Sequence, residues 1–354
     1  MTGLLALAAE LVDIPSVSHE EAALADHVEA ALRTAAHLTV ERVGNTVLAR
    51  TDLGRPRRLL LAGHLDTVPP FSDAGASVSG DTLSGLGAVD MKGGLAVLLD
   101  LAATVPSPTV DATYLFYPGE EVERRHNGLH HLVEERPAVL AADAAVLAEP
   151  TAGRVEAGCQ GTLRVVLTLA GRRAHTARPW AGTNAVHRLA PALRALDAYR
   201  SRRVVLDGCE YAEQFQAVAV SGGVAGNVVP DEASLTVNHR FAPDRDVGEA
   251  LAEVHRLLAD AFDPARGDRL EVTDASAGAA PGLDHPLLAA LVAATGVVPQ
   301  AKLGWTDVAT LSAAGVPAAN FGPGDPLLAH TPDEHVTAAE LDAVRRALGS
   351  VLGE

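Results

Sequence analysis

Three short apolar runs ahead of residue 150 each break off at a residue able to hold a metal or a proton. Leu59–Gly63 runs into His64-Leu65-Asp66, Ala112–Tyr117 into Pro118-Gly119-Glu120-Glu121, and Ala144–Leu147 into Glu149-Pro150. Uninterrupted apolar runs this short read as strands buried on both faces, the signature of a parallel sheet. Met91–Thr104 reads as a buried helix opened by Gly93 and Gly94. Glu20–Ala36 reads as an amphipathic helix begun by a capping box of Ser18 and Glu21. Strands alternating with helices imply an α/β fold, a mostly parallel sheet covered by helices. Such sheets collect ligands at the carboxyl ends of their strands, and the polar clusters fall there.

The pattern changes near Gly161. Leu163–Leu169 and Ala233–Phe241 alternate with period two, as half-exposed antiparallel strands do, with helices predicted over Asn184–Tyr199 and Val247–Phe262. Residues 161–277 therefore read as an inserted α+β domain, and 1–160 with 278–354 as the domain it interrupts. The βα pattern resumes with helices over Pro286–Ala294 and Asp307–Ala314 and a strand over Val316–Phe321. A last helix starts at Thr337, where Glu340 completes a capping box. The 354 residues suit two such units.

The net charge of −17 argues against a nucleic-acid partner, which requires a basic face, and aromatics at 3% are too few for a base-stacking platform. No apolar run reaches membrane-spanning length. Met1–Ser16 lacks a basic start and carries Glu10 and Asp13, so it reads as an amphipathic helix and not a signal peptide. Two cysteines, Cys159 and Cys209, make no disulfide framework and fit a cytoplasmic protein. Only Lys92 and Lys302 are lysines, which reads as coding bias. Neither a Gly-x-Ser-x-Gly elbow nor a phosphate-binding glycine loop occurs.

What remains is a dispersed set of acids and histidines: His64, Asp66, Asp90, Glu120, Glu121, Glu149 and His330. Each alone reads as a loop acid, a helix cap or a structural histidine. Together, at one sheet edge, they form the hard oxygen and imidazole set of zinc or a similar first-row ion. Five such groups can hold two metals if one carboxylate bridges, and a hydrolytic site of this kind needs one further carboxylate as base. The adjacent Glu120 and Glu121 supply one acid more than the ligand count demands.

His64-Leu65-Asp66, Gly87-Ala88-Val89-Asp90-Met91-Lys92-Gly93-Gly94, Glu120-Glu121, Glu149-Pro150-Thr151 and the late His330 resemble, in order, the motifs of the co-catalytic zinc exopeptidase and deacylase superfamily. The resemblance implies a zinc-exopeptidase-like catalytic domain with an inserted dimerisation, or lid, domain. It implies two divalent metals, zinc foremost and cobalt as the alternative, with Asp90 bridging, His64 and Glu149 on one metal, and Glu121 and His330 on the other. A water bridging the metals would be the nucleophile, Glu120 the general base, and Asp66 the support of His64. It also implies a non-proline cis peptide at Asp90-Met91. Glu rather than Asp at position 149 resembles the deacylase and carboxypeptidase branches.

Arg173-Ala174-His175-Thr176-Ala177-Arg178-Pro179, the Gly222–Pro230 segment and Asn238-His239-Arg240-Phe241 resemble the superfamily's dimerisation motifs. By that resemblance the protein is a homodimer in which His175 reaches the partner's site and steadies the oxyanion. Asn227 and Arg240 bind the substrate's carboxylate end, and Arg178 is a further candidate. Longer stretches, among them Glu156–Thr162 and Lys302–Val308, resemble the succinyl-diaminopimelate desuccinylases of actinobacterial type, whose loop here, with Gly304 and Thr306, would close over substrate. The expected reaction is hydrolysis of the amide of N-succinyl-L,L-2,6-diaminopimelate. The alternative is a sister deacylase acting on N-acetylornithine or another N-acyl amino acid. The expected partners are this small molecule and a second copy of the chain, with no nucleic acid and no membrane.

Overall fold

The protein is described here by a computed structural model covering residues 3–71 and 75–354. The three apolar runs are neighbouring strands. Arg58–His64 lies parallel to both Asp111–Tyr117 and Ala144–Leu147 at the centre of an eight-stranded sheet. Ala318–Asn320 continues the parallel set beyond Ala144–Leu147. The flanks are antiparallel, a hairpin of Thr39–Val43 and Thr46–Arg50 on one side and Glu156–Ala157 on the other.

Alternation along the central strands divides the core between two faces. Leu59, Leu61, Tyr114 and Phe116 pack with the helices Gly3–Val12, Ala22–Arg33, Gly93–Thr104 and Ala338–Leu352. Leu60, Ala62, Leu115 and Tyr117 pack on the other side with Gly128–Glu135 and Val308–Ala313. The expected α/β architecture, a mostly parallel sheet covered by helices, is what the chain adopts. No helix among the described residues is long and apolar enough to cross a membrane.

A separate four-stranded antiparallel sheet runs Gln214–Gly222, Glu232–Phe241, Gly161–Ala170, Arg269–Ser276 in spatial order. The central pair corresponds to the two alternating runs. Leu163, Val165, Leu167 and Leu169 face a core under the helices Ala185–Arg188, Ala190–Asp197 and Val247–Leu258. The residues between them, Thr162 and Arg164 among them, face the other way.

Local departures have local causes. The helix expected over Asn184–Tyr199 is two pieces, because Pro191 enters the second piece's first turn without an N–H to donate. The capping box at Ser18 does not form: the helix starts at Ala22, and the Ser18 hydroxyl donates instead to Asp66 at 2.8 Å. At Thr337 and Glu340 the reciprocal box is present. The N-terminal helix covers Gly3–Val12, while Met1 and Thr2 lie outside the described residues.

Candidate metal centre

The parallel register sets the site. His64 ends its strand level with Tyr117, so Glu120, beyond Tyr117, and Glu149, beyond Leu147, emerge at the same sheet edge. Gly119 makes the turn to the glutamate pair at φ 76°, and a side chain there would sit 2.3 Å from the His126 carbonyl. Asp90 arrives from a single irregular turn, Ala88–Lys92, ahead of the helix Gly93–Thr104. The Asp90-Met91 peptide is cis, as the resemblance implies. His330 comes from the loop after Pro326–Leu328 with a left-handed backbone, φ 59°, costly for a side chain with a Cβ.

Two ligand groupings share Asp90. His64, Asp90 and Glu149 form one, Asp90, Glu121 and His330 the other, each with donor atoms within 4.8 Å of one another. The Nε2 of His64 lies 3.1 Å from Asp90, and the Nε2 of His330 lies 2.7 Å from Glu121 and 3.5 Å from Asp90. A third grouping, His64 with Glu120 and Glu121, brings the base candidate to the same spot without touching Asp90.

The donor set fits divalent cations. One oxygen of Glu149 is buried without a hydrogen-bond partner among the described residues. Burial and the charge of Asp90 push the Glu149 carboxyl up to about 7. Burial, then Glu149, push Glu120 well above the usual carboxylate range. Asp90 and Glu121 raise His330 to about 10. Carboxylates crowded this closely call for positive charge between them.

Around these ligands lies a layer of supports. Asp66 does more than hold His64. Its backbone carbonyl lies 2.9 Å from His64 Nδ1, its carboxylate 3.5 Å. That carboxylate accepts the N–H groups of Glu120 and Glu121 at 3.0 and 3.1 Å, together with the Ser18 hydroxyl. Burial opposes its charge, yet these donors and His64 hold it at about 2. Glu334, which sequence reasoning missed, accepts the N–H groups of Val89 and Asp90 and fixes the turn that presents the shared acid. Asp307, also missed, is fully buried, accepts from Asn127 at 2.6 Å and Thr310 at 2.7 Å, and adds to the field on Glu120. No spacing signal marks either residue.

The substrate-side candidates divide. Arg240 lines a cleft of about 850 Å³ with Glu120 and Glu121. The loop after Lys302 contributes Trp305 to that cleft. Gly304 is exposed, and the Thr306 hydroxyl donates inward to Asn320 at 2.9 Å. His175, Arg178 and Asn227 are exposed. His175 pairs with Val228 in an isolated bridge and its Nδ1 accepts from the Ala177 N–H, so within one chain it joins no ligand grouping.

Residues 60–354 match the family described as Peptidase family M20/M25/M40. The chain belongs to that family. Two curated proteins similar to this M20/M25/M40 family member align with it nearly end to end. A Mycobacterium tuberculosis protein provisionally named succinyl-diaminopimelate desuccinylase is 54% identical over 97% of both chains. The succinyl-diaminopimelate desuccinylase of Corynebacterium glutamicum is 44% identical over 99% of this chain and 96% of its own. Among solved structures, aminopeptidase PepT of Bacillus cereus matches with a TM-score of 0.79 at 16% identity, covering 99% of this chain and 97% of that one. At that identity the likeness is one of fold.

Proposed function

We propose that the protein hydrolyses N-succinyl-L,L-2,6-diaminopimelate to succinate and L,L-2,6-diaminopimelate, as its two named relatives do by their names. The observation that carries the reading is the pair of ligand groupings joined at Asp90, with a spare glutamate beside them, in a chain that matches those relatives over nearly all its length. His64, Asp90 and Glu149 would hold one ion and Asp90, Glu121 and His330 the other, with zinc as the ion. Bound there, the two cations supply Lewis acidity to the amide carbonyl and acidify the attacking water.

The rest is the work of this chain's own groups. Glu120, held at the cleft by its N–H bond to Asp66, takes the proton of the attacking water and returns it to the leaving amine. Arg240 offers a planar fork to a substrate carboxylate. Residues 161–277 act as a dimerisation domain around 1–160 and 278–354, and His175 steadies the oxyanion of the partner subunit's site. Support for the pairing comes from the edge strand Gln214–Gly222, which leaves Val218 and Val220 each 55% exposed. A cytoplasmic location accords with the two cysteines, both free and buried.

The test compares turnover of the succinylated substrate with its acetylated counterpart by the zinc-loaded protein. The reading requires the succinylated compound to be strongly preferred; preference for an N-acetyl amino acid replaces it with the sister activity.

A further inference from the structure

The inserted sheet turns its uncovered face toward the metal centre. Along Gly161–Ala170 the odd residues are buried under helices, so Thr162 and Arg164 project from the other side. Register places Thr162 opposite Arg240 and Ser276, and Arg164 opposite Asn238 and Asp274. Thr162, Arg164, Arg240, Asp274 and Ser276 all line the cleft that holds Glu120 and Glu121.

Two guanidinium groups on this wall have no partner. Among the described residues neither the Arg164 nor the Arg240 side chain makes a hydrogen bond or an ion pair, whereas those of Arg42, Arg188, Arg202 and Arg345 are each held by two or more groups. The two face the cleft side by side. Burial, then the like charge of Arg164, lowers the pKa of Arg240, while Asp274, across from Arg164 on the same wall, opposes that shift. Asp274 and the cleft's glutamates supply negative charge nearby, yet none of them is within ion-pair distance of either guanidinium, so the forks keep their N–H donors free for an anionic ligand.

One arginine is enough for the carboxylate carried by any N-acyl amino acid. We propose that Arg164 binds a second carboxylate of the substrate, distinct from the one held by Arg240, and so selects oligocarboxylate substrates over singly charged N-acyl amino acids. This rests on the desuccinylase reading above. N-succinyl-diaminopimelate offers two such groups, one on the acyl chain and one at the far end of the amino acid. A planar fork on each of two adjacent strands matches carboxylates presented at separate points along one extended molecule.

The experiment measures equilibrium binding to the zinc-loaded dimer in a Glu120→Gln background, so that ligands are bound and not consumed. Three ligands are compared: N-succinyl-diaminopimelate, N-acetyl-diaminopimelate, which lacks the acyl carboxylate, and Nα-succinyl-lysine, which lacks the far one. Adding Arg164→Gln weakens binding of the full substrate by about ten- to a hundredfold, the loss of one charge-assisted pair. The same substitution leaves binding of one truncated ligand unchanged, and that ligand identifies the carboxylate. Arg164→Lys, which keeps the charge and loses the fork, falls between. Arg164 is exposed, so melting temperature serves as the control for folding. A loss equal on all three ligands, or none on the full substrate, overturns the assignment while the desuccinylase reading stands. Failure of the Glu120→Gln protein to bind the full substrate at all overturns both.

Discussion

Glu120 and Glu121 are adjacent in sequence and different in surroundings. His330 lies 2.7 Å from Glu121, and both join Asp90 in one ligand grouping from which Glu120 is absent. Replacing Glu120 by Gln removes a proton carrier and leaves both Asp90-centred groupings intact, so kcat should fall by about 10²–10⁴ with metal content unchanged. Glu121→Gln should instead lower metal content. Metal analysis of the two purified variants, beside their kinetics, decides between them; the opposite pattern reverses the roles. Asp66→Asn is expected to harm the site without touching a metal, because the amide weakens the hold on the N–H groups of both glutamates and on His64. A fall in kcat of about tenfold or more with retained metal is the outcome that fits. Much of this was legible in sequence, since His64, Asp90 and Glu149 each follow an apolar run or a glycine-marked turn. Ser18 and Glu334 were not. A serine three residues before a glutamate is a sound helix start until a buried carboxylate competes for its hydroxyl, and nothing local marks Glu334 as the group that receives the Asp90 N–H. The two lysines are a similar lesson: their count looks like coding bias, yet Lys92 is 2% exposed with its ammonium on the Ile14 carbonyl, and Lys302 pairs with Glu156 at 2.9 Å.

At the scale of elements, the close approach of the helix Gly93–Thr104 to the strand Ala144–Leu147 depends on Gly94. A Cβ there would lie 2.3 Å from the Ala148 carbonyl oxygen, a backbone atom with no room to yield. Gly94→Ala should destabilise the fold by about 1–3 kcal/mol and displace Asp90 relative to Glu149, lowering both melting temperature and activity. In the inserted sheet, His239 is fully buried and stacked on Phe215 at 3.8 Å, and burial holds its imidazole down at about 4. The unfolded chain takes a proton at this residue below pH 6.5 and the native state does not until about pH 4. Stability should therefore fall as pH drops through that window, by about 1.4 kcal/mol per unit from this group. Thermal melts of His239→Gln between pH 7 and 4 should show a flatter acid limb than the parent. The strands Gln214–Gly222 and Arg269–Ser276 escaped sequence reading because they lie at the edges of this sheet. Along Gln214–Gly222 only Phe215 is buried, so no period-two signal exists, and a bulge at Thr273 breaks the alternation in its counterpart.

For the whole molecule, the decisive question is whether one subunit is sufficient. His175 stands outside every ligand grouping of its own chain, and the uncovered edge strand offers a surface for a second copy. Mixing inactive His175→Ala and Glu120→Ala proteins under subunit exchange should restore roughly a quarter of wild-type activity, because half the dimers are mixed and each carries one intact site. A mixture as inactive as its parents, with exchange proven by mass or fluorescence, means that His175 does not act across the interface.

The scattering of the ligands along the chain also sets the order in which a ribosome delivers them. His64, Asp90, Glu120, Glu121 and Glu149 emerge before the inserted sheet begins at Gly161, whereas His330 and Glu334 come in the last stretch of the chain. A nascent chain thus displays five ligand-type side chains well before the anchor for the Asp90 turn exists. The second ligand grouping is complete, and the Asp90 turn anchored, only once the segment carrying His330 and Glu334 is in place. A chain cut after Gly324 loses the second ligand grouping, the anchor of the shared acid and the helix Ala338–Leu352 that covers one face of the core, so it should be both inert and markedly less stable.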